Sequence, residues 1–423
     1  MSDRSDPVIV IGAGLAGLNC ARHLHRSNRP VLVLERHEQP GGRIRTEEHD
    51  GYLLDRGFQV LLTAYPEARR TFDYEALELG SFAAGAAVFW DGRIPRLADP
   101  RRHPGMLLSS LGAPVASLQD GWRILRMSRA LAASSIEEIL SRSALTVREA
   151  LRSRWGLSER VVERFFRPFI AGFTLDPSLR CGSRTMEFVL KMFVEGRAAL
   201  PRAGMAELPR QLADVLPGDR LRLDTKVAAL TEEGVRTEHG EEIAARATVL
   251  ATGANEAHDL RGSDDRADHR STVTLYFGAE TSPIREPQLV LDGHGDGPVN
   301  HAAVVSEVVP DYAPSGRSLV GANVLGDPDR TDGELGKAVR RQLTRWFGPE
   351  VHDWTHLRTI RVREALPVVR PHPGPESPRS VRIRDRLFGC GDYLGIPSIE
   401  TALKSGRLCA ERITEALTHP RST

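Results

Sequence analysis

Residues 7 to 26, PVIVIGAGLAGLNCARHLHR, constrain the fold more than any other stretch of the chain. Val8 to Ile11 is an apolar run of strand length without polar alternation, the pattern of a strand covered on both faces. It runs into Gly12, Gly14 and Gly17, and then into a helix with apolar residues at Leu18, Ala21 and Leu24. Each glycine of this G-x-G-x-x-G spacing has its own task. Gly12 permits the tight turn, Gly14 lets a pyrophosphate approach the backbone, and Gly17 lets the helix pack closely on the strand. The phosphates would then sit with the Ala13 backbone at the positive end of the helix. A second strand, VLVLE, ends in Glu35, placed to accept hydrogen bonds from ribose hydroxyls and to repel a 2′-phosphate, and Arg36 follows it. Strand, glycine triplet, helix, strand and terminal acid together predict a Rossmann-type α/β unit for NAD or FAD.

The residues after Glu35 discriminate between the two. LERHEQPGGRIRT is similar to the L-E-x-x-x-x-x-G-G-R motif of the flavin amine oxidase superfamily, which includes amine oxidases, protoporphyrinogen oxidases and phytoene-desaturase-type enzymes. The resemblance implies FAD. Gly41 and Gly42 offer bare backbone, and Arg43 supplies a permanent cation with a directional donor fork. The plain alternative for Arg43 is a surface salt bridge. In DRGFQVL, Gly57 and Phe58 fall where family members bring the chain close to the flavin.

At 423 residues the chain exceeds the roughly 250 to 300 at which one core stops growing, so two domains are expected. The resemblance implies a two-dinucleotide-domain flavoprotein with a discontinuous α+β substrate domain. The FAD-binding domain then takes 1–75, 215–262 and 380–423, and the substrate domain takes 76–214, its helical part, and 263–379, its sheet part. Helical signals fill the first substrate segment, in DGWRILRMSRALAAS, SIEEILSRS, TVREALRSRWG and SERVVERFFRPFIAG. In the last, Val161, Phe165 and Phe169 repeat at i, i+4 and i+8 with Val162 and Phe166 alongside, a wide apolar face that reads as core. Gly196, Pro201, Gly204 and Met205 resemble the G-x-x-x-x-P-x-G-G-M segment of desaturase-like members, with Ala203 replacing the first glycine of the pair. In the return segment, Val227 would meet adenine through its backbone and the strand ending Ala251-Thr252-Gly253 would run under the cofactor. Strand patterns such as STVTLYFGA, PQLVLD, VNHAAVVSEVV and RSLVGAN dominate 271 to 365, interrupted by the helix DGELGKAVRRQLTRWFG. REALPVVRPHPGP reads as the end of that domain.

The stretch FGCGDYLGIPSIETALKSGRLCAERI, from Phe388, completes the resemblance. In the family a strand, a Gly-Asp pair, a loop and a long helix occur here. Gly391 and Asp392 would meet the ribityl or phosphate region, and the helix start at Ile399 would face the pyrimidine edge of the flavin, where a positive helix end stabilises the charge of the reduced ring. Pro397 and Ser398 start the helix, and Ile399, Ala402 and Ala410 are expected to face inward.

Composition excludes other classes. The 57 basic and 56 acidic side chains nearly cancel, so no global field draws the chain to nucleic acid, and a small molecule is the natural partner. Four cysteines in no CxxC or His/Cys spacing point to a reduced, cytoplasmic protein without a structural metal. The first apolar run lacks the flanks of a signal peptide, and no run approaches the roughly 18 residues of a membrane span. Arg123, Arg126 and Arg129, within the helical stretch 106–131, leave contact with a membrane face open, although a solvated helix face explains them as well.

FAD carries out the redox step, so no catalytic base need be legible, and the catalytic residues stay unassigned. Lys191 and Tyr393 carry no motif that would give them a role. Family amine oxidases with an aromatic sandwich place an aromatic residue where Ser398 stands, and two aromatic faces suit an amine nitrogen. No Cys lies between 394 and 408, so non-covalent FAD is expected. PSIETALKSG resembles the P-S-x-E-G-A-x-x-S-G pattern of phytoene desaturases, with Thr401 in place of the usual glycine. The expectation is an FAD-dependent oxidoreductase of the desaturase or protoporphyrinogen-oxidase-like branch that takes hydride from a largely apolar, lipophilic molecule. The alternatives are a flavin amine oxidase and a non-catalytic escort-type binding protein on the same fold. The escort-type proteins tend to lose the ribose acid and G-G-R, both of which this chain retains.

Overall fold

A computed structural model describes residues 6–98, 115–264, 266–368 and 381–418, with the backbone alone at 96–98. The fold is mixed α/β, as the sequence predicts. Its first sheet has the strand order Leu221–Arg222, β2 (Val31–Leu34), β1 (Val8–Ile11), Ala247–Leu250, Leu387–Gly389 and Arg382–Arg384. All neighbours are parallel except the last pair. Ile11 lies in register with Leu34 on one side and Leu250 on the other, so three distant stretches of chain end along one edge. β1 is buried on both faces, which is why it carries no polar residue. Val8 and Val10 pack towards α1 (Leu15–Arg26) and the closing helix Ile399–Thr418, and Ile9 and Ile11 pack against Val227, Val235 and Ala257 on the other face.

The closing helix crosses α1 with almost no clearance. A Cβ on Gly406 would lie 2.3 Å from the Ala16 carbonyl oxygen. The buried stripe therefore runs through Leu403, Gly406, Ala410 and Ile413, and of the three expected inward positions only Ala410 belongs to it. Ile399 and Ala402 are half-buried, because the first turn makes its deepest contact through Glu400 instead.

The second sheet has seven strands, in the order Thr355–Pro367, His269–Ala279, Ser318–Leu325, Val299–Val304, Leu289–Asp292, Gly85–Phe89 and Arg96–Ala98. REALP forms the last five residues of the 13-residue strand Thr355–Pro367, which pairs with His269–Ala279 as far as Pro367 and His269. The helix Asp332–Phe347 covers one face through Leu335, Val339 and Leu343. The helices Leu118–Ala133, 159–174 and Ser183–Glu195 belong to the molecule's main core. Residues 106–114 of the arginine-bearing stretch lie outside the described residues. Within 159–174 the turn Val162–Phe166 is π-helical and rotates the later residues about the axis. Val161, Val162 and Phe166 of the expected face take the core together with Ile170, and Phe165 and Phe169 pack against it half-buried. Among the described residues no helix is long and apolar enough to cross a membrane.

Candidate functional site

The three glycines of the first loop differ in their surroundings. A Cβ on Gly12, whose φ is +104°, would stand 2.9 Å from the Ala251 carbonyl oxygen, and one on Gly17 would stand 2.0 Å from that of Gly12. Packing alone requires both residues to be glycine. Above Gly14 a Cβ would meet nothing within 4 Å. That open cradle is where backbone amides at the start of α1 face out. The Gly41-Gly42 turn lies along the same place: the Gly41 N–H donates to the Ala13 carbonyl at 2.8 Å, and Gly41 pairs with Gly14 as an isolated parallel bridge.

Glu35 is buried at the end of β2. One carboxylate oxygen accepts from the Ala13 N–H at 2.8 Å and the other from the His37 N–H at 3.1 Å. Each oxygen keeps a lone-pair position for a further donor. Arg36 is half-exposed and pairs with Glu256 at 3.1 Å, on the helix Ala254–Leu260 that starts after Gly253. Thr225 N–H donates to the Glu35 carbonyl at 2.7 Å, which brings the strand beginning at Val227 beside the acid. An open glycine cradle next to a buried acid with free acceptor positions fits the pyrophosphate and ribose of a dinucleotide.

Arg43 and Asp392 meet across 349 residues of chain. The guanidinium forks onto the carboxylate at 2.8 Å and 2.5 Å and also donates to the Ala365 carbonyl at 3.0 Å. The charge of Asp392 raises the Arg43 pKa above its ordinary value. The sequence motifs point each of the two to the cofactor separately and give no sign of the pair. Gly391, just before, is extended and needs no glycine for its φ of 165°, but a Cβ there would lie 2.3 Å from the Tyr393 ring. Gly57, at φ +93°, turns the chain so that the half-buried Phe58 ring stands edge-on to His301 with centroids 4.8 Å apart. Gln59 fixes this loop by donating to the Arg43 carbonyl at 3.2 Å.

The start of the closing helix is tightly tied. The Ser398 hydroxyl accepts from the Thr401 N–H at 3.1 Å and donates to the Ile396 carbonyl at 2.9 Å, an N-cap that commits its one proton locally. Thr401 donates to the same carbonyl at 2.5 Å, so this departure from the desaturase pattern secures the loop before the helix. Glu400 accepts twice from the Glu67 N–H, at 3.1 Å and 2.8 Å, and burial pushes its carboxyl up to about 7. Glu67 in turn pairs with Arg407 at 2.8 Å and 3.1 Å. No sequence signal marked this group. Lys191 pairs with Glu195 and donates to the Leu131 and Ala132 carbonyls, which holds it in helix packing. Cys20, Cys390 and Cys409 are buried together between α1 and the closing helix. Among the described residues no group of three or more His, Cys, Asp or Glu could hold a metal.

Comparison with known proteins identifies the family. The family model for flavin containing amine oxidoreductase matches residues 15–414. A phytoene dehydrogenase of Streptomyces griseus is 50% identical over 56 residues, 13% of this chain and 11% of that protein. A chloroplastic protoporphyrinogen oxidase of Nicotiana tabacum is 28% identical over 177 residues, 40% of this chain and 29% of that protein. These alignments span less than a third of either relative. A solved cyclohexylamine oxidase from Brevibacterium oxydans superposes with a TM-score of 0.70 at 17% identity, covering 98% of this chain and 99% of that one, which speaks for the fold alone. The resemblance read from the G-G-R stretch is thereby borne out: the chain belongs to the flavin-containing amine oxidoreductase family.

Proposed function

We propose that the chain dehydrogenates a largely apolar small molecule, with non-covalently held FAD supplying the two-electron oxidation. The pyrophosphate is assigned to Gly12, Ala13, Gly14 and Gly17, and the ribose to Glu35, with Arg36 beside it. Gly41, Gly42, Arg43, Gly391 and Asp392 are assigned to the ribityl and phosphate region, and the Val227 backbone to adenine. Gly57, Phe58, Ala251, Gly253 and Ile399 border the flavin. The division into FAD-binding segments 1–75, 215–262 and 380–423 and substrate segments 76–214 and 263–379 belongs to the same proposal. A cytoplasmic setting suits the four unpaired cysteines, and contact with a membrane face would deliver a lipophilic substrate.

The observation that carries the apolar substrate is a wall of four half-buried phenylalanines. Phe165, Phe169 and Phe173 follow one side of the helix 159–174, with Phe193 of the neighbouring helix beside them, and Phe169 lies 5.5 Å, 5.9 Å and 5.4 Å from the other three ring centroids. Half-exposed aromatic surface in contact with the core is the lining expected of an apolar ligand site. Ser398 supplies no aromatic face for an amine, and its hydroxyl is already used within the chain.

Anaerobic bleaching of the bound flavin tests the proposal. A largely apolar polyene that bears a carbonyl or ether oxygen should reduce the flavin, and simple amines should leave it yellow. Rapid reduction by amines alone would return the chain to the amine oxidases. A purified protein that stays colourless after FAD addition would support the escort-type alternative.

A further inference from the structure

His301 lies in the strand Val299–Val304, at the centre of the second sheet, and is 2% exposed. Its hydrogen bonding fixes the tautomer. The Asn300 side-chain nitrogen donates to the Pro168 carbonyl at 2.9 Å, which sets the orientation of that amide. The same nitrogen is 3.0 Å from His301 Nδ1. An amide nitrogen has only hydrogens to offer, so Nδ1 is the acceptor and the ring proton sits on Nε2. Burial pushes the imidazole pKa down to about 3, so the ring is neutral at any working pH. The result is a neutral N–H donor with no hydrogen-bond partner among the described residues.

A buried donor left unpaired is costly, and native structures rarely keep one without use. The surroundings of this donor suggest its use. A Cβ on Gly172 would lie 3.3 Å from Nδ1 and Cε1 of the imidazole, so the helix carrying Phe169 and Phe173 reaches the ring at its one residue without a side chain. The half-buried Phe58 ring packs edge-on against the imidazole from the side of the Gly57 turn. His301 thus joins the foot of the phenylalanine wall to the loop assigned to the flavin.

We propose that the Nε2–H of His301 seats the one polar atom of the substrate, so that the molecule oxidised carries a neutral acceptor, a carbonyl or ether oxygen, on its apolar body. This rests on the reading of the phenylalanine wall as the lining for an apolar substrate. A neutral donor among aromatic rings cannot compensate a buried carboxylate or ammonium, so charged substrates are rejected there. A pure hydrocarbon would leave the donor unpaired, and a site with an unpaired polar group discriminates against such a ligand. His301 is then a specificity residue, and it takes no proton from the substrate.

The test compares binding of 4-phenylbutan-2-one with that of butylbenzene, which lacks the carbonyl oxygen, to the FAD-loaded protein and its His301→Phe variant, by ligand-observed NMR titration. The variant should bind the ketone about tenfold more weakly, the loss of one hydrogen bond, and butylbenzene within about twofold of wild type. Equal weakening of both ligands would make His301 a packing residue only, and no change in either, or no binding of either to wild type, would overturn the proposal. A second measurement covers a variant that fails to fold. With histidine labelled in ¹⁵N, His301 should show its proton on Nε2 and no titration above about pH 4, whereas a proton on Nδ1 would refute the donor. Neither measurement depends on turnover, so both remain informative if the flavin fails to bleach.

Discussion

Replacing Asp55 by Asn should remove a pH-dependent weakness at the junction of the two sheets. Asp55 ends the strand Tyr52–Asp55, where it is 4% exposed. Its carboxylate accepts from Thr46 Oγ1 at 2.6 Å, from the Met205 N–H at 3.0 Å and from the Tyr312 hydroxyl at 2.8 Å, and its carbonyl accepts from the Tyr276 hydroxyl at 2.9 Å. Burial outweighs these donors and pushes the carboxyl up from its ordinary 3.8 to about 6. A carboxyl raised on folding binds more protons in the folded state than in the unfolded one. Its stabilising contribution is therefore fully present below pH 3.8 and is lost as the pH rises through about 6. The gap corresponds to about 3 kcal/mol, of which about 2 kcal/mol goes between pH 4 and pH 6. Asn keeps Oδ1 for Thr46 and Met205, and its Nδ2 can donate to the Tyr312 hydroxyl, which turns round to accept. Urea unfolding of both proteins between pH 4 and pH 8 should show the wild type losing about 2 kcal/mol more than Asp55→Asn from pH 4 to pH 6. At roughly 0.9 kcal/mol/K for a chain of this length, that is about 2 °C in the thermal midpoint. Parallel pH profiles would refute the reasoning, because an Asp55 that titrates normally is not desolvated as its burial implies.

Gly406→Ala sets helix propensity against packing: alanine gains about 1 kcal/mol in a helix, but its Cβ would lie 2.3 Å from the Ala16 carbonyl oxygen, an overlap that costs about 2 kcal/mol or more. The thermal midpoint should fall, whereas Gly336→Ala, where a Cβ meets nothing within 4 Å, should raise it. Glu35→Ala frees the Ala13 and His37 N–H groups and removes the proposed ribose acceptor. FAD affinity, read by fluorescence on cofactor release, should fall by about tenfold or more, at about 1.4 kcal/mol per decade, and unchanged affinity would remove Glu35 from the site.

What the sequence made legible was local. The G-x-G-x-x-G turn, VLVLE and the Ser398 cap each depend on residues a few positions apart, and each forms the element its spacing predicts. Partnerships set by topology were not legible. Arg43 and Asp392 read as two separate cofactor residues, because nothing between them records that the strands they follow, β2 and Leu387–Gly389, share one sheet with only β1 and Ala247–Leu250 between them. Glu400 occupies the first turn of its helix, the usual place for a solvated carboxylate, yet it is buried against the Glu67 N–H because the closing helix lies beside the short helix Pro66–Thr71. The π-turn at Val162–Phe166 has no side-chain signature in VVERFF, so the apolar face of that helix was legible but not which of its rings, Phe166 rather than Phe165 and Phe169, goes deepest. VNHAAVV shows the same limit most sharply. A histidine in an apolar strand looks identical in sequence whether its ring is satisfied or not. Only the position of Asn300, which claims Nδ1 and leaves Nε2–H without an acceptor, turns His301 from a core residue into a candidate for recognition. The cofactor half of such a site is written in backbone turns and can be read from spacing, whereas the half that selects the substrate is written in which polar atoms the fold leaves over.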